Sequence, residues 1–291
     1  MSDFVQRFHF SDSPVRGELV QLADSVDAVL ERHSYPPRVA ELLAEALAAS
    51  VLLASTLKFE GTLILQARGD GPLETLMVEC NHRRELRGIA QVSEAWTEAA
   101  AQLPLTELFG QGQLSITIDP EGGQRYQGVV PLDSDTLAGC LEHYFEQSEQ
   151  LPTRLWLAAE GETAAGLMLQ VLPGHDRSGD EDLWPRLCQL TETVKKEELL
   201  ELPASELLYR LYHEETVELH EMEAVTFRCS CSRERTEHVL LSLGEEELRG
   251  IIAEQGAIDI SCQFCNQEYR FDPIDVEQML RGGSGGSRQL H

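Results

Sequence analysis

Basic residues are scarce in this chain: 23 lysines and arginines stand against 50 aspartates and glutamates, a formal net charge of -27 at pH 7. A surface of that sign repels phosphate backbones and anionic headgroups, which argues against nucleic acid and membrane surfaces as partners. Long apolar runs are missing too, and no stretch approaches the roughly 18 residues that a helical membrane span needs. The opening, MSDFVQRFHF, has neither the basic flank nor the apolar core of a secretory signal, so a cytoplasmic location is expected. Lys58 and Glu60 sit between a predicted helix and a predicted strand, but no His/Asp partner or glycine-rich phosphate loop lies near them. No catalytic triad emerges elsewhere. Cysteine is sparse and odd in number, with seven in all, which does not suit a disulfide framework. In a reducing cytosol, clustered thiols need a ligand or a chemical role.

What is present reads as an α+β protein. VQLADSVDAVLERH (20–33) and PPRVAELLAEALAASVLLASTLKF (36–59) carry helical spacing, the second with proline at its N-terminus. Alternating β-rich segments follow in GTLILQA, LETLMVE, ELRGIAQV, QLSITIDP and QRYQGVVPL, separated by turn chemistry in RGDGP and PEGGQ. A helix is predicted in SDTLAGCLEHYFEQSEQL (134–151), then two strands in TRLWLAA and AAGLMLQVLP. Strands and helices of this kind, without regular βαβ alternation, indicate α+β rather than α/β.

The polar run PGHDRSGDED sets a boundary near residues 174–182. Beyond it, residues 192–223 hold ten Glu against two Lys and one Arg, with leucines still at helical spacing. Short amphipathic helices broken at Pro203 are predicted, weakened by like charge and able to pack on a neighbour or release. The unit from about Val225 to Met279 is too small to rely on its own apolar core. In it a capping box is read at Ser242 with Glu245, a helix stop at Gly256, and a hairpin around the second cysteine pair. A last helix is read with Asp272 as N-cap and Pro273 first. The end, residues 282–291, reads as a flexible tail.

Four cysteines, Cys229 and Cys231 in FRCSCSRER and Cys262 and Cys265 in ISCQFCNQEYRF, form two close pairs able to supply four sulfurs to one metal. Zinc is the ion of choice for four thiolates, one per chain, with iron or an iron–sulfur centre as the minor alternative. In so small a unit, metal binding and folding form one equilibrium. The same thiolates are nucleophiles, and each pair can close on itself, which would leave no ligands for zinc. Spacing alone leaves a structural clamp and a redox switch both open. Arg228, Arg233 and Arg235 flank the first pair and lower the cost of the thiolates.

Cys80, Cys140 and Cys188 stand singly and read as ordinary thiols. His213 and His220 border the acidic run and are weak alternatives as ligands. The RGD at Arg68–Asp70 reads as a turn. A nucleic-acid ribbon is disfavoured, because residues 228–281 hold eleven acids and six arginines.

The two cysteine motifs, with VRGELV, TLKFEG, GDGP, RGIAQV, RYQGVV, YFEQSEQLPTRLWL, GLMLQVLP and LYHEE, resemble the redox-regulated heat-shock chaperones of the bacterial cytoplasm. These motifs run through residues 15–272. The resemblance implies an ATP-independent holdase rather than an enzyme, monomeric and inactive when reduced and zinc-bound. Oxidation by peroxide with heat, or by hypochlorous acid, would produce the disulfides Cys229–Cys231 and Cys262–Cys265 and release zinc. The metal unit and linker would then unfold, and the exposed surface would hold unfolding client proteins, with dimerisation of the active form. The implied domains are a client-binding α+β domain at 1–178, a metastable acidic linker at 179–224, a zinc-binding switch at 225–281 and the tail at 282–291. The alternatives are a thiol peroxidase or disulfide oxidoreductase, and a constitutive interaction module with a purely structural zinc.

Overall fold

The computed structural model describes residues 3–57, 60–173, 180 and 182–283. It divides into two compact units, Met1–Arg228 and Cys229–His291. Lys58, most of the boundary proposed at 174–182 and residues 284–291 of the tail lie outside the described residues.

The first unit opens with β1 (Phe4–Phe10) and β2 (Val15–Leu22), then α1 (Asp24–Leu30) and α2 (Pro37–Ser55). Next come β3 (Gly61–Arg68), β4 (Leu73–Asn81), β5 (Glu85–Val92), α3 (Leu105–Phe109), β6 (Gln113–Pro120) and β7 (Tyr126–Pro131). After α4 (Leu137–Tyr144), β8 (Thr153–Glu160) and β9 (Thr163–Val171) form a hairpin. The acidic region supplies α5 (Leu183–Thr191), α6 (Lys196–Glu201), α7 (Ala204–Tyr212) and β10 (Val217–Ala224), and β11 (Thr226–Phe227) ends the unit. The strands make two sheets, β10-β1-β2-β9-β8 and β11-β5-β4-β3-β6-β7.

Helix α2 is apolar nearly all round because it packs on both sheets, against β4 and β5 of one and β8 and β9 of the other. Pro37 opens it as expected, where a missing amide hydrogen removes no helical bond. Its leucines and alanines join Val20, Leu65, Val78 and Met168 in the larger core.

The opposite face of the five-stranded sheet carries a second core. Phe8, Phe10, Val15, Leu19, Leu167 and Leu169 of the sheet are covered by Leu187, Leu199, Leu207, Leu208, Leu211 and Tyr212 of α5–α7. The cover is pinned by polar contacts as well. The Gln21 amide donates to the Leu199 and Leu202 carbonyls, both at 2.9 Å, and Arg186 pairs with Glu215 at 2.8 Å. Tyr212 is only 1% exposed, and its hydroxyl lies 2.6 Å from that of Thr191.

Three local expectations give way. The helix read from Val20 begins at Asp24, because Val20–Leu22 complete β2 between β1 and β9. The Asp3 carboxylate caps α1, accepting from the amides of Ala23, Asp24 and Ser25 at 2.7–3.1 Å. The end of the acidic region, read as helical, is the strand β10 antiparallel to β1. Its glutamates serve as cross-strand partners: Glu223 meets Arg7 at 2.7 Å and Arg84 at 3.0 Å, and Glu218 accepts from Ser11 at 2.6 Å. The capping box at Ser242 does not form, for reasons found in the second unit.

That unit comprises α8 (Arg233–Leu241), α9 (Glu245–Gln255), β12 (Ile258–Ser261), β13 (Glu268–Phe271) and α10 (Pro273–Gly283). Ser242 ends α8, its hydroxyl donating back to the Val239 carbonyl at 2.6 Å, while Gly244 at φ 95° opens α9. Only glycine adopts that backbone without strain. Gly256 ends α9 in the left-handed region, and the Asp272 carboxylate accepts from the Ile274 and Asp275 amides, both as expected. The core here is small: Leu240, Leu248, Ile258, Phe271, Val276 and Met279.

Candidate metal centre

Cys229 and Cys231 lie on the irregular segment that leads into α8. The Ser232 hydroxyl caps that helix, accepting from the Arg235 amide at 3.2 Å, and so fixes where the segment turns. The Arg235 guanidinium closes it from the other side, donating to the Ser230 carbonyl at 3.0 Å and hydroxyl at 2.8 Å. Cys262 and Cys265 sit on the turn of the β12–β13 hairpin. The Cys262 amide donates to the Gln267 carbonyl at 2.9 Å and the Asn266 amide to the Cys262 carbonyl at 2.8 Å. Asn266 takes the left-handed conformation, φ 57°, which a tight turn needs and asparagine tolerates.

Together these elements gather the four sulfurs within 4.8 Å of one another. Contacts run between the pairs as well as within them, with Cys229 to Cys262 at 3.7 Å and Cys231 to Cys265 at 3.5 Å. Four ligands at about 2.3 Å around a tetrahedral zinc would stand about 3.8 Å apart, so the donor set fits. The donors are all sulfur, which disfavours calcium and magnesium. Burial, and then the neighbouring sulfurs, push the Cys265 thiol up to about 12, and burial raises Cys262 as well. Four thiolates this close are therefore tolerable only around a cation, which deprotonates its ligands outright.

Tyr269, four residues past Cys265, belongs to the site although spacing rules do not mark it. It stands on β13 opposite Ile260, and its hydroxyl donates to the Cys231 sulfur at 3.2 Å. That bond is the main reason its phenol is pushed up to about 12, so the proton stays on the oxygen. The alternation of QEYRF, with Tyr269 and Phe271 inward and Glu268 and Arg270 outward, is the signal that would have found it.

The flanking arginines have structural partners. Arg228 pairs with Glu85 at 2.6 Å, while Arg233 meets Asp275 at 2.8 Å and lies 4.2 Å above the Phe271 ring. Among the described residues no histidine joins the sulfur cluster. His220 lies 3.2 Å from His9 on β1, and His213 lies near Tyr209. Cys80 and Cys140 are buried in the larger core, where burial pushes Cys80 up to about 12 and raises Cys140. Burial also pushes Cys188, on α5, up to about 11. In the RGD turn Asp70 accepts from the Gln111 amide at 2.7 Å, and a side chain at Gly69 would collide with the Phe109 carbonyl. That motif is structural.

Comparison with known proteins agrees over nearly the whole chain. The model of the family described as Hsp33 protein matches residues 3–272. A 33 kDa chaperonin of Ectopseudomonas mendocina (strain ymp) is 51% identical over 286 residues, 97% of this chain and 96% of that protein. A 33 kDa chaperonin of Shewanella sp. (strain ANA-3) is 46% identical over 291 residues, covering 99% of each. The crystal structure of the 33 kDa chaperonin (heat shock protein 33 homolog) of Thermotoga maritima matches with a TM-score of 0.81 at 22% identity. It covers 97% of this chain and 99% of that one, a likeness of fold.

Proposed function

The chain belongs to the Hsp33 family, and on that premise we propose that it is a redox-regulated holdase, working without ATP, whose thiols decide when clients are held. Chaperone function follows from the family itself. The observation that carries the finer reading is the four-sulfur cluster, set in a unit whose buried apolar core is six side chains. When bound, one zinc would be held by Cys229, Cys231, Cys262 and Cys265 and would supply the folding energy that this core lacks, about 10–16 kcal/mol apparent.

Oxidation acts on the chain's own thiols. Two thiols give one disulfide, releasing two protons and two electrons, and each peroxide that accepts them becomes two waters. We assign the pairs Cys229–Cys231 and Cys262–Cys265, as the resemblance implies. After two such steps no thiolate remains to hold a cation, and the second unit loses its main support. Arg228 ends the first unit and Cys229 begins the second, so disorder in the metal unit passes by chain connection to β11 and β10. Ten glutamates crowd residues 192–223, and pairs such as Glu215 with Arg186 and Glu223 with Arg7 hold the region in place until the metal unit loses its order. Release of α5–α7 would uncover Phe8, Phe10, Leu19, Leu167 and Leu169, an apolar sheet face suited to unfolding polypeptide.

The proposal includes a cytoplasmic setting, a reduced monomer and an oxidised dimer. Among the described residues no helix is long and apolar enough to cross a membrane. Light scattering of a heat-unfolded client, without ATP, tests the reading by comparing reduced zinc-loaded with peroxide-treated protein. Suppression of aggregation by the oxidised form alone supports it. Peroxide consumed over many turnovers would indicate a thiol peroxidase instead, and zinc retained under oxidant with thiols unreacted would indicate a structural clamp.

A further inference from the structure

We propose that Tyr269 is a positioning residue of the metal centre, its hydroxyl donating to the Cys231 sulfur so that this ligand stays on the metal and resists oxidant. The inference rests on reading the four cysteines as a zinc site, and the experiment below separates the two. The geometry is specific. Tyr269 is held by the β12–β13 ladder, with Ile260 directly opposite and Ser261 and Glu268 closing the pair beside the cysteine turn. Its ring packs against the small core, and the hydroxyl at its tip lies 3.2 Å from the Cys231 sulfur. A tyrosine placed this way satisfies its polar end while half-burying its apolar body.

The two cysteine pairs are served differently. Cys262 is approached by the backbone amides of Phe264 and Cys265, and Cys265 by that of Gln267, all within its own turn. Cys231 instead receives a side-chain donor that is 38 residues away in sequence. A hydrogen bond to a thiolate withdraws charge from the sulfur. The tyrosine would hold the sulfur in place for a bound metal, while the lone pair that would attack peroxide would be less available. Tyr269 therefore ties the first pair to the hairpin that carries the second, and loss of the hairpin's order exposes Cys231 at the same moment.

Tyr269→Phe in the full chain removes the oxygen and keeps the ring, and Ile260→Val loosens the same packing while leaving the hydroxyl. Both are loaded with cobalt(II), whose sulfur-to-metal charge-transfer band reports thiolate donor strength. Zinc affinity is then measured by competition with a chromophoric chelator. The expected result for Tyr269→Phe is about tenfold weaker zinc binding, in the range usual for an outer-shell partner of a metal ligand. A charge-transfer band shifted to lower energy and faster thiol loss to peroxide should accompany it, while Ile260→Val leaves the band in place. A Phe variant with wild-type affinity and band overturns the proposal. So does equal weakening in both variants with unmoved bands, which would reduce Tyr269 to packing. If wild-type protein takes up neither metal, the zinc reading itself fails, and this inference with it.

Discussion

Removing Tyr212 should switch on client holding without any oxidant. This side chain is the centre of the cover that α5–α7 place on the sheet, with its ring edge-on to Phe10 at 5.1 Å and tilted against Phe8 at 6.1 Å. Replacing it with alanine deletes two aromatic contacts and leaves a cavity, at about 3–5 kcal/mol for a buried aromatic. The hydrogen bond lost to Thr191 adds little, because the threonine hydroxyl also donates to the Leu187 carbonyl at 2.7 Å and is not orphaned. If most of that loss falls on docking of the cover, the released population rises by about 100-fold or more, at about 1.4 kcal/mol per decade. The assay is light scattering of a heat-unfolding client with reduced, zinc-loaded Tyr212→Ala, followed by zinc and thiol counts on the same sample. Aggregation should be suppressed with four thiols and the metal intact. Hydrogen exchange across residues 183–224 supplies the check. If exchange shows α7 released while the reduced variant still fails to hold clients, the sheet face beneath is not the client surface.

Three further outcomes follow from the same structure. A strong zinc chelator applied to reduced protein should abolish protease resistance and exchange protection in residues 229–283, while amides of α2 remain protected; retained protection in the second unit would mean that its core suffices. Peptide mapping after peroxide should find Cys229 joined to Cys231 and Cys262 to Cys265, although sulfurs of different pairs also lie close, Cys229–Cys262 at 3.7 Å and Cys231–Cys265 at 3.5 Å. Recovery of the cross-pairs as the main products would refute local closure. Glu18, fully buried on β2 between Arg7 and Met168, has its carboxyl pushed up by burial to about 8, despite Arg16, Arg7 and Arg84. Its proton is held more tightly folded than unfolded, so its stabilising share is complete below about 4.5 and is lost as pH rises through about 8. Thermal denaturation of the first unit should fall across that window and be flatter in Glu18→Gln; identical pH profiles would contradict the assignment.

The parts of this fold that sequence foretells are those governed by local rules. Periodicity finds α2, the strands from Gly61 to Pro120 and the hairpin at Cys262–Cys265, and proline and glycine mark the ends of α2, α9 and α10. Spacing finds the four cysteines that the fold brings together as a candidate metal site, since two close pairs offer four sulfurs to one ion. What escapes depends on distant partners. Val217–Ala224 has the composition of an acidic helix, yet Arg7, Arg84 and Ser11 give its glutamates partners in an edge strand. Helix α1 is capped by Asp3, twenty residues before its first amide contact at Ala23. Tyr269 is close to Cys265 in sequence but serves Cys231, and only the hairpin's register shows that. The covering role of α5–α7 lies between these cases. Leucine spacing marks an amphipathic element, whereas its target, the Phe8–Phe10 face, comes from strands β1 and β2 that periodicity did not reveal.

The central claim is that Cys229, Cys231, Cys262 and Cys265 form one switch, and simultaneous zinc release and thiol counting during peroxide treatment tests it most directly. The account predicts that one zinc leaves as four thiols become two disulfides, in step with the onset of client holding. Zinc that stays bound with its thiols unreacted while clients are held, or peroxide consumed far beyond those four thiols, would contradict it.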